Sequence, residues 1–249
     1  MPGFMENFLY FTEHYADPAI ELILITSADY HVPVLDYRPT VPAWSKTPAA
    51  APGSIAYDAE VLNLALRNLV TTGNVRVHGH SRGGAVTLEA ARQQPALFEN
   101  TEVILEAPVL PQGKPYSPLP PTARWFLPFF LPMWQQQPIS ARNRALWGPL
   151  DNTRKRELIM GLPFNPRHCS TMDANLRDMA QWMDNTRCEI YQHVKRGAIL
   201  VPGKDRILRS DAMRASAQQA ENLQVIEIEG GSHFVIADHP DSIPPLTLG

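Results

Sequence analysis

Residues 75–86 read VRVHGHSRGGAV, and within them Gly79-His80-Ser81-Arg82-Gly83 is a GxSxG pattern between an apolar run and an Ala-rich helical stretch. A serine in such a strand-to-helix turn sits on a strained backbone. Residues two before and two after it must lack side chains, because strand and helix crowd together there. The turn lifts the hydroxyl off the sheet at the positive N-terminus of the next helix, a placement that suits a nucleophile. A serine hydroxyl attacks poorly until a neutral imidazole takes its proton, and a carboxylate must hold that imidazole in the right tautomer. The competing reading, a small turn residue without chemistry, is disfavoured by the flanking glycines. His78 and His80 form an HxH pair that could present two ligands on one strand face, but no third ligand accompanies them and no metal is expected. Cys169 and Cys188 belong to no CxxC or Cys/His cluster and read as free thiols unless the compartment oxidises.

Positioning such a serine requires a sheet. Runs rich in Ile and Val recur at 20–26, 75–79, 101–108, 197–203 and 223–230, which predicts buried strands of a largely parallel sheet. Between them, 57–70 places Val61, Leu62, Ala65, Leu66, Leu69 and Val70 on one helical stripe, and 85–94 and 211–221 also read as helices. This alternation, with right-handed crossovers, gives an α/β fold with helices on both faces. Residues 27–55 hold many of the 24 prolines and are expected to form a long surface excursion. Residues 110–195, rich in aromatics, prolines and charges, read as a helical cap or lid inserted into a core made of residues 1–109 and 196–249.

In this setting the sequence resembles the α/β-hydrolase superfamily, whose nucleophile elbow commonly reads GHSxGG, as residues 79–84 do. The resemblance implies the α/β-hydrolase fold and a triad in the chain order serine, acid, histidine. Ser81 is then the nucleophile. VPGKD ends a strand at Asp205, like the family's acid turn, and GGSHF follows the last strand and presents His233 as the base. Asp205 could instead start a turn or cap the next helix, and His233 could be an ordinary loop histidine. Glu106 is the alternative acid, because some family members carry the acid after the strand that follows the nucleophile.

The oxyanion of a tetrahedral intermediate needs two backbone N–H donors. The family takes one from the residue after the serine, here Arg82, and the other from a turn closing an earlier strand. The nearest match is Pro2-Gly3-Phe4, which assigns Phe4 as the second donor, with Pro2 where the family has a histidine. Family members place several strands before that turn. The early N-terminal strands are therefore expected to be absent here because the sequence starts inside a longer chain, a reading tested by the intact mass of native protein.

Trp125, Phe126, Phe129 and Phe130 cluster near the start of the inserted block, with Trp134 close behind. A lid with such a stripe would line an acyl pocket or meet a lipid interface; the same rings could equally pack the cap onto the sheet. The 249 residues, 44% hydrophobic and 19% charged, suffice for a sizeable core, and the net charge of -3 gives no field to recruit nucleic acid or an anionic membrane. The greasiest stretch, 124–134, contains prolines and is far shorter than the ~20 residues of a membrane span. No signal-peptide pattern opens the sequence, so a cytoplasmic location is expected.

The residues thus point to a serine hydrolase that cleaves a small-molecule carboxylic ester, with a hydrophobic acyl group and no cofactor. Thioesterase, lactonase, acyltransferase and carbon–carbon bond hydrolase share the same trio. A non-catalytic ligand-binding protein of this fold is the reading from another class. Serine at the elbow argues against the dehalogenase and epoxide-hydrolase branches, which carry aspartate there.

Overall fold

The computed structural model describes residues 1–30, 32–34, 38, 40–117, 122, 126–159 and 166–246. Two helices, α1 (Leu9–Thr12) and α2 (Ile55–Leu69), precede the first strand, β1 (Val75–His80). The chain continues through α3 (Arg82–Gln93) and α4 (Pro95–Phe98) into β2 (Thr101–Glu106). A long connection follows, carrying α5 (Leu127–Gln136), α6 (Arg144–Trp147), α7 (Asn152–Ile159), α8 (Pro166–Asn185) and a short 3-10 segment, Cys188–His193. β3 (Arg196–Pro202), α9 (Ser210–Ala217), β4 (Gln224–Ile228) and α10 (Val235–Asp238) complete the order.

Among the described residues the four strands form one parallel sheet in the order β1-β2-β3-β4. Strand alternation sends Val77, Val103, Leu105, Ile199 and Val201 to one face, where they pack with Ile55 and Leu62 of α2, Leu88 of α3 and Met213 of α9. Ile104, Ala198, Leu200 and Ile228 face the other way, against Tyr10, Phe11, Trp147, Leu150 and Phe234. On that second face β1 carries Arg76, His78 and His80, in register with Glu102, Ile104 and Glu106 of β2. Apolar residues thus fill one side of β1 while charged and polar ones line the other.

Local signals explain the helix starts. Ser54 caps α2 by accepting the Tyr57 amide at 3.1 Å, and Pro95 opens α4, where its missing N–H costs nothing. The helix expected over 85–94 begins at Arg82, directly after the elbow serine.

One expected strand is absent. Residues 20–26 carry no regular secondary structure and pair with no strand among the described residues. Ile25 leans on the first core while Ile20 and Leu24 lean on the second, so the Ile-rich run that suggested a strand reflects side-chain burial without a hydrogen-bonded ladder. This segment and β1 line a cavity of about 270 Å³, with Phe8, Phe11, Tyr15 and His78 among its walls. Among the described residues, no helix is long and apolar enough to cross a membrane.

Candidate active site

Ser81 lies between β1 and α3 with φ 52° and ψ -119°, a conformation costing on the order of 1–3 kcal/mol for a residue with a Cβ. Three backbone hydrogen bonds hold it there. Its amide donates to the Glu106 carbonyl at 2.9 Å, and its carbonyl accepts the amides of Gly84 at 3.0 Å and Val109 at 2.9 Å. The elbow glycines are required by close approach: a Cβ on Gly79 would stand 2.4 Å from the Gly83 oxygen, and one on Gly83 would stand 2.2 Å from the Met1 oxygen. Arg82 supplies the first amide of α3, one of those that an α-helix leaves without an internal acceptor.

The acid turn follows β3. Asp205 Oδ1 accepts the amides of Ile207 at 2.7 Å and Leu208 at 2.9 Å, which fixes the plane of the carboxylate. Oδ2 is thereby aimed at His233 Nδ1, 2.7 Å away. A carboxylate oxygen accepts, so Nδ1 carries a proton toward Asp205 and Nε2 is the ring nitrogen turned to other partners. The Lys204 amide donates to the Gly231 carbonyl at 2.8 Å and the Gly203 amide to Ile228 at 2.8 Å, clasping the acid turn to the loop that carries His233.

His80 draws that loop onto the elbow, since its Nε2 lies 2.8 Å from the His233 carbonyl oxygen. Its Nδ1 lies 2.7 Å from Glu6 Oε2, and the same oxygen accepts the Gly3 amide at 2.9 Å. Gly3 passes so near the serine that a Cβ there would be 2.8 Å from Ser81 Cβ. The Met5 amide donates to the Tyr30 hydroxyl at 3.2 Å. Both amides flanking that of Phe4 are therefore engaged away from Ser81.

Glu106 is bonded elsewhere than to His233. Its Oε1 accepts the Tyr10 hydroxyl at 2.5 Å and the Ile236 amide at 2.8 Å, and its Oε2 lies 3.0 Å from His78 Nε2. Burial alone would raise this carboxyl, but the charge on His80 and the bonds from His78 and Tyr10 hold it down at about 2. Burial lowers His78 to about 4, so that ring is neutral, with Nδ1 2.7 Å from the Tyr15 hydroxyl. For His80, burial is outweighed by the carboxylates of Glu6 and Glu106 and by its two hydrogen bonds, which raise it to about 9. Glu6, His80 and His233 present ligand-type atoms within 4.8 Å of one another, but the 2.7 Å separation of His80 from Glu6 is that of a hydrogen bond within the polar network.

The side chain of Arg82 turns away from Ser81 into the core. Its Nη1 donates to Asp58 Oδ2 at 2.5 Å and its Nη2 to the Gly53 carbonyl at 3.3 Å. Asn175 of α8 donates to the same carbonyl at 2.6 Å and accepts the Tyr30 hydroxyl at 2.5 Å. A buried polar chain therefore runs from the elbow through α8 to Met5.

Of the aromatic stripe, Phe126 and Phe129 are 57% and 73% exposed, whereas Trp125 and the side chain of Phe130 lie outside the described residues. Trp134 of α5 packs on Trp147 at 4.7 Å, and Trp147 stacks on Phe234, the neighbour of His233, at 6.2 Å and 15°. Glu6, Tyr10 and Tyr30 carry no motif around them, and nothing in their local sequence marks them as part of the site.

Similar architecture occurs in solved structures. The crystal structure of E-2-(acetamidomethylene)succinate hydrolase superposes with a TM-score of 0.61 at 15% identity, over 96% of this chain and 85% of that one. A thermophilic esterase from Thermogutta terrifontis gives 0.60 at 15% identity, over 96% and 83% of the two chains. An esterase from Exiguobacterium antarcticum gives 0.60 at 13% identity, over 97% and 88%. No curated protein matches the sequence at a significant level. At such identities the likeness speaks for the fold. The sequence itself goes further: residues 12–243 match the pattern of the Alpha/beta hydrolase family, and with a parallel sheet whose first strand turns into a helix at a strained serine, the chain belongs to that family.

Proposed function

We propose that the protein is a serine hydrolase that cleaves a carboxylic ester through an acyl-enzyme. The observation that carries this reading is the orientation of His233: Asp205, itself fixed by two amides, holds Nδ1 at 2.7 Å and leaves Nε2 as the base for a serine presented at a strained elbow. Ser81 Oγ attacks the ester carbonyl as its proton passes to His233. The oxyanion is received by the amides of Arg82 and Phe4. His233 then gives the proton to the departing alkoxide, and water repeats the sequence to release the acid.

The block between β2 and β3 acts as the cap over this site, and the exposed rings of Phe126 and Phe129 support an apolar acyl group as the substrate part it meets. The esterases among the structural neighbours agree with ester hydrolysis. A fluorophosphonate probe and p-nitrophenyl esters of graded acyl length provide the test. Wild type should label and turn over, with kcat/KM rising from acetate to longer acyl chains, and Ser81→Ala should lose labelling and at least about 1,000-fold in kcat. Labelling that survives in Ser81→Ala would remove the serine from its role.

A further inference from the structure

His80 stands between the elbow glycine and the serine, and both its ring nitrogens face acceptors. Nδ1 meets Glu6 Oε2 at 2.7 Å, and Nε2 meets the His233 carbonyl at 2.8 Å. A carbonyl oxygen has no proton to give, and neither has the carboxylate of Glu6, whose Oε2 also accepts the Gly3 amide at 2.9 Å. Both nitrogens must donate, and a ring that donates from both is an imidazolium.

The consequence is geometric. Glu6 holds the Gly3 amide, and Gly3 is the residue that lets the N-terminal turn come against Ser81, which sets the direction of the following Phe4 amide. The His233 carbonyl belongs to the residue whose ring is the base. We propose that His80 is a positioning residue, a buried cation that ties the oxyanion turn to the base loop so that loss of its proton loosens both together. The proposal rests on the reading of Ser81 and His233 as nucleophile and base.

Its surroundings fit a held charge rather than a proton shuttle. The side chain is fully buried. The Tyr10 ring lies over it at 4.4 Å, with Phe234 at 5.8 Å and the His233 ring at 4.8 Å. Glu106 of β2 stands opposite in register, His78 on the same strand is neutral, and the Met1 amine is engaged with the His78 carbonyl at 2.7 Å. Two carboxylates, those of Glu6 and Glu106, therefore share this cation, and they carry it to about 9 against the effect of burial.

Nitrogen-15 spectra of histidine-labelled protein read the ring directly. His80 should show two protonated nitrogens at about pH 7 and lose one with a midpoint near 9. Glu6→Gln keeps an acceptor oxygen but removes the charge, so it should lower that midpoint by about one pH unit or more. In ester turnover, kcat should fall with the same midpoint while KM changes less than about twofold, and Glu6→Gln should move the alkaline limb down in step. His80→Gln should lower kcat by about tenfold or more across the range.

Amide exchange of residues 2–6 and 231–236 should quicken across the same transition in wild type, which keeps the test available if Glu6→Gln fails to fold. A ring that is neutral at about pH 7 overturns the proposal, as do an alkaline limb and an exchange profile that ignore the ring's titration. Wild type that folds but does not turn over esters counts against the Ser81 reading alone, because ring charge and amide exchange still decide the role of His80.

Discussion

His78 and His80 sit two positions apart on the same face of β1, yet they take opposite charge states, because burial prevails at His78 and the carboxylates of Glu6 and Glu106 prevail at His80. His78 faces a hydroxyl and one shared carboxylate and stays neutral; His80 faces two acceptors and is charged. The same logic separates the two acidic residues. Asp205 spends one oxygen on backbone amides and the other on His233, whereas Glu106 gives Oε1 to Tyr10 and Ile236 and sets Oε2 3.0 Å from His78 Nε2. Asp205→Asn should therefore cut kcat by about 1,000-fold or more through the wrong tautomer of His233, with little change in melting temperature. Glu106→Gln should do the reverse, keeping fluorophosphonate labelling while lowering stability by about 2–4 kcal/mol as a buried network loses its charge. Labelling rate and thermal melting of the two variants separate the assignments. Ser81, Asp205 and His233 were legible as candidates because each sits in a short motif at a strand end. Glu6 was not, because its partner His80 lies far along the chain and no local pattern encodes that meeting.

At the scale of elements, the elbow is held from both sides by one residue. The Arg82 amide opens α3 toward the serine, while its guanidinium runs back to Asp58 on α2 and Gly53 before it. Both charges are buried, so breaking the pair leaves one uncompensated. Asp58→Asn should cost about 3–5 kcal/mol in urea unfolding, and the double change Arg82→Met with Asp58→Leu should recover most of it. Equal losses in the single and double variants would show that the pair stabilises beyond its own desolvation. Helix α2 followed from its apolar stripe, α3 from its Ala-rich run and strands β1 to β4 from apolar runs rich in Ile and Val. The segment 20–26 did not become a strand, because an apolar run reports which side chains are buried, and a strand also needs a neighbouring backbone to pair with.

For the whole molecule, the two histidines set opposing pH slopes. His80 has a folded value of about 9 against an ordinary 6.5, so between these the folded state binds the extra proton and stability falls as pH rises. His78 has a folded value of about 4, so between 4 and 6.5 the unfolded state binds the extra proton and stability falls as pH drops. Each slope amounts to about 3 kcal/mol across its window, which in a chain of this size is roughly 5–10 °C. The buried Met1 amine, lowered from 8.0 to about 5, works against the His80 slope up to about pH 8, so thermal melting should be nearly level between about 6.5 and 8 and decline on both sides, with Glu106 adding a further loss only as pH falls below about 4.5. His80→Gln should flatten the alkaline side alone.

The row from Trp134 through Trp147 to Phe234 has an optical meaning as well as a packing one. Two indoles 4.7 Å apart couple their electronic transitions, and this pair joins α5 to the ring beside His233. Its near-ultraviolet circular dichroism is therefore a built-in gauge of how closely α5 sits over the base loop, readable without label or substrate.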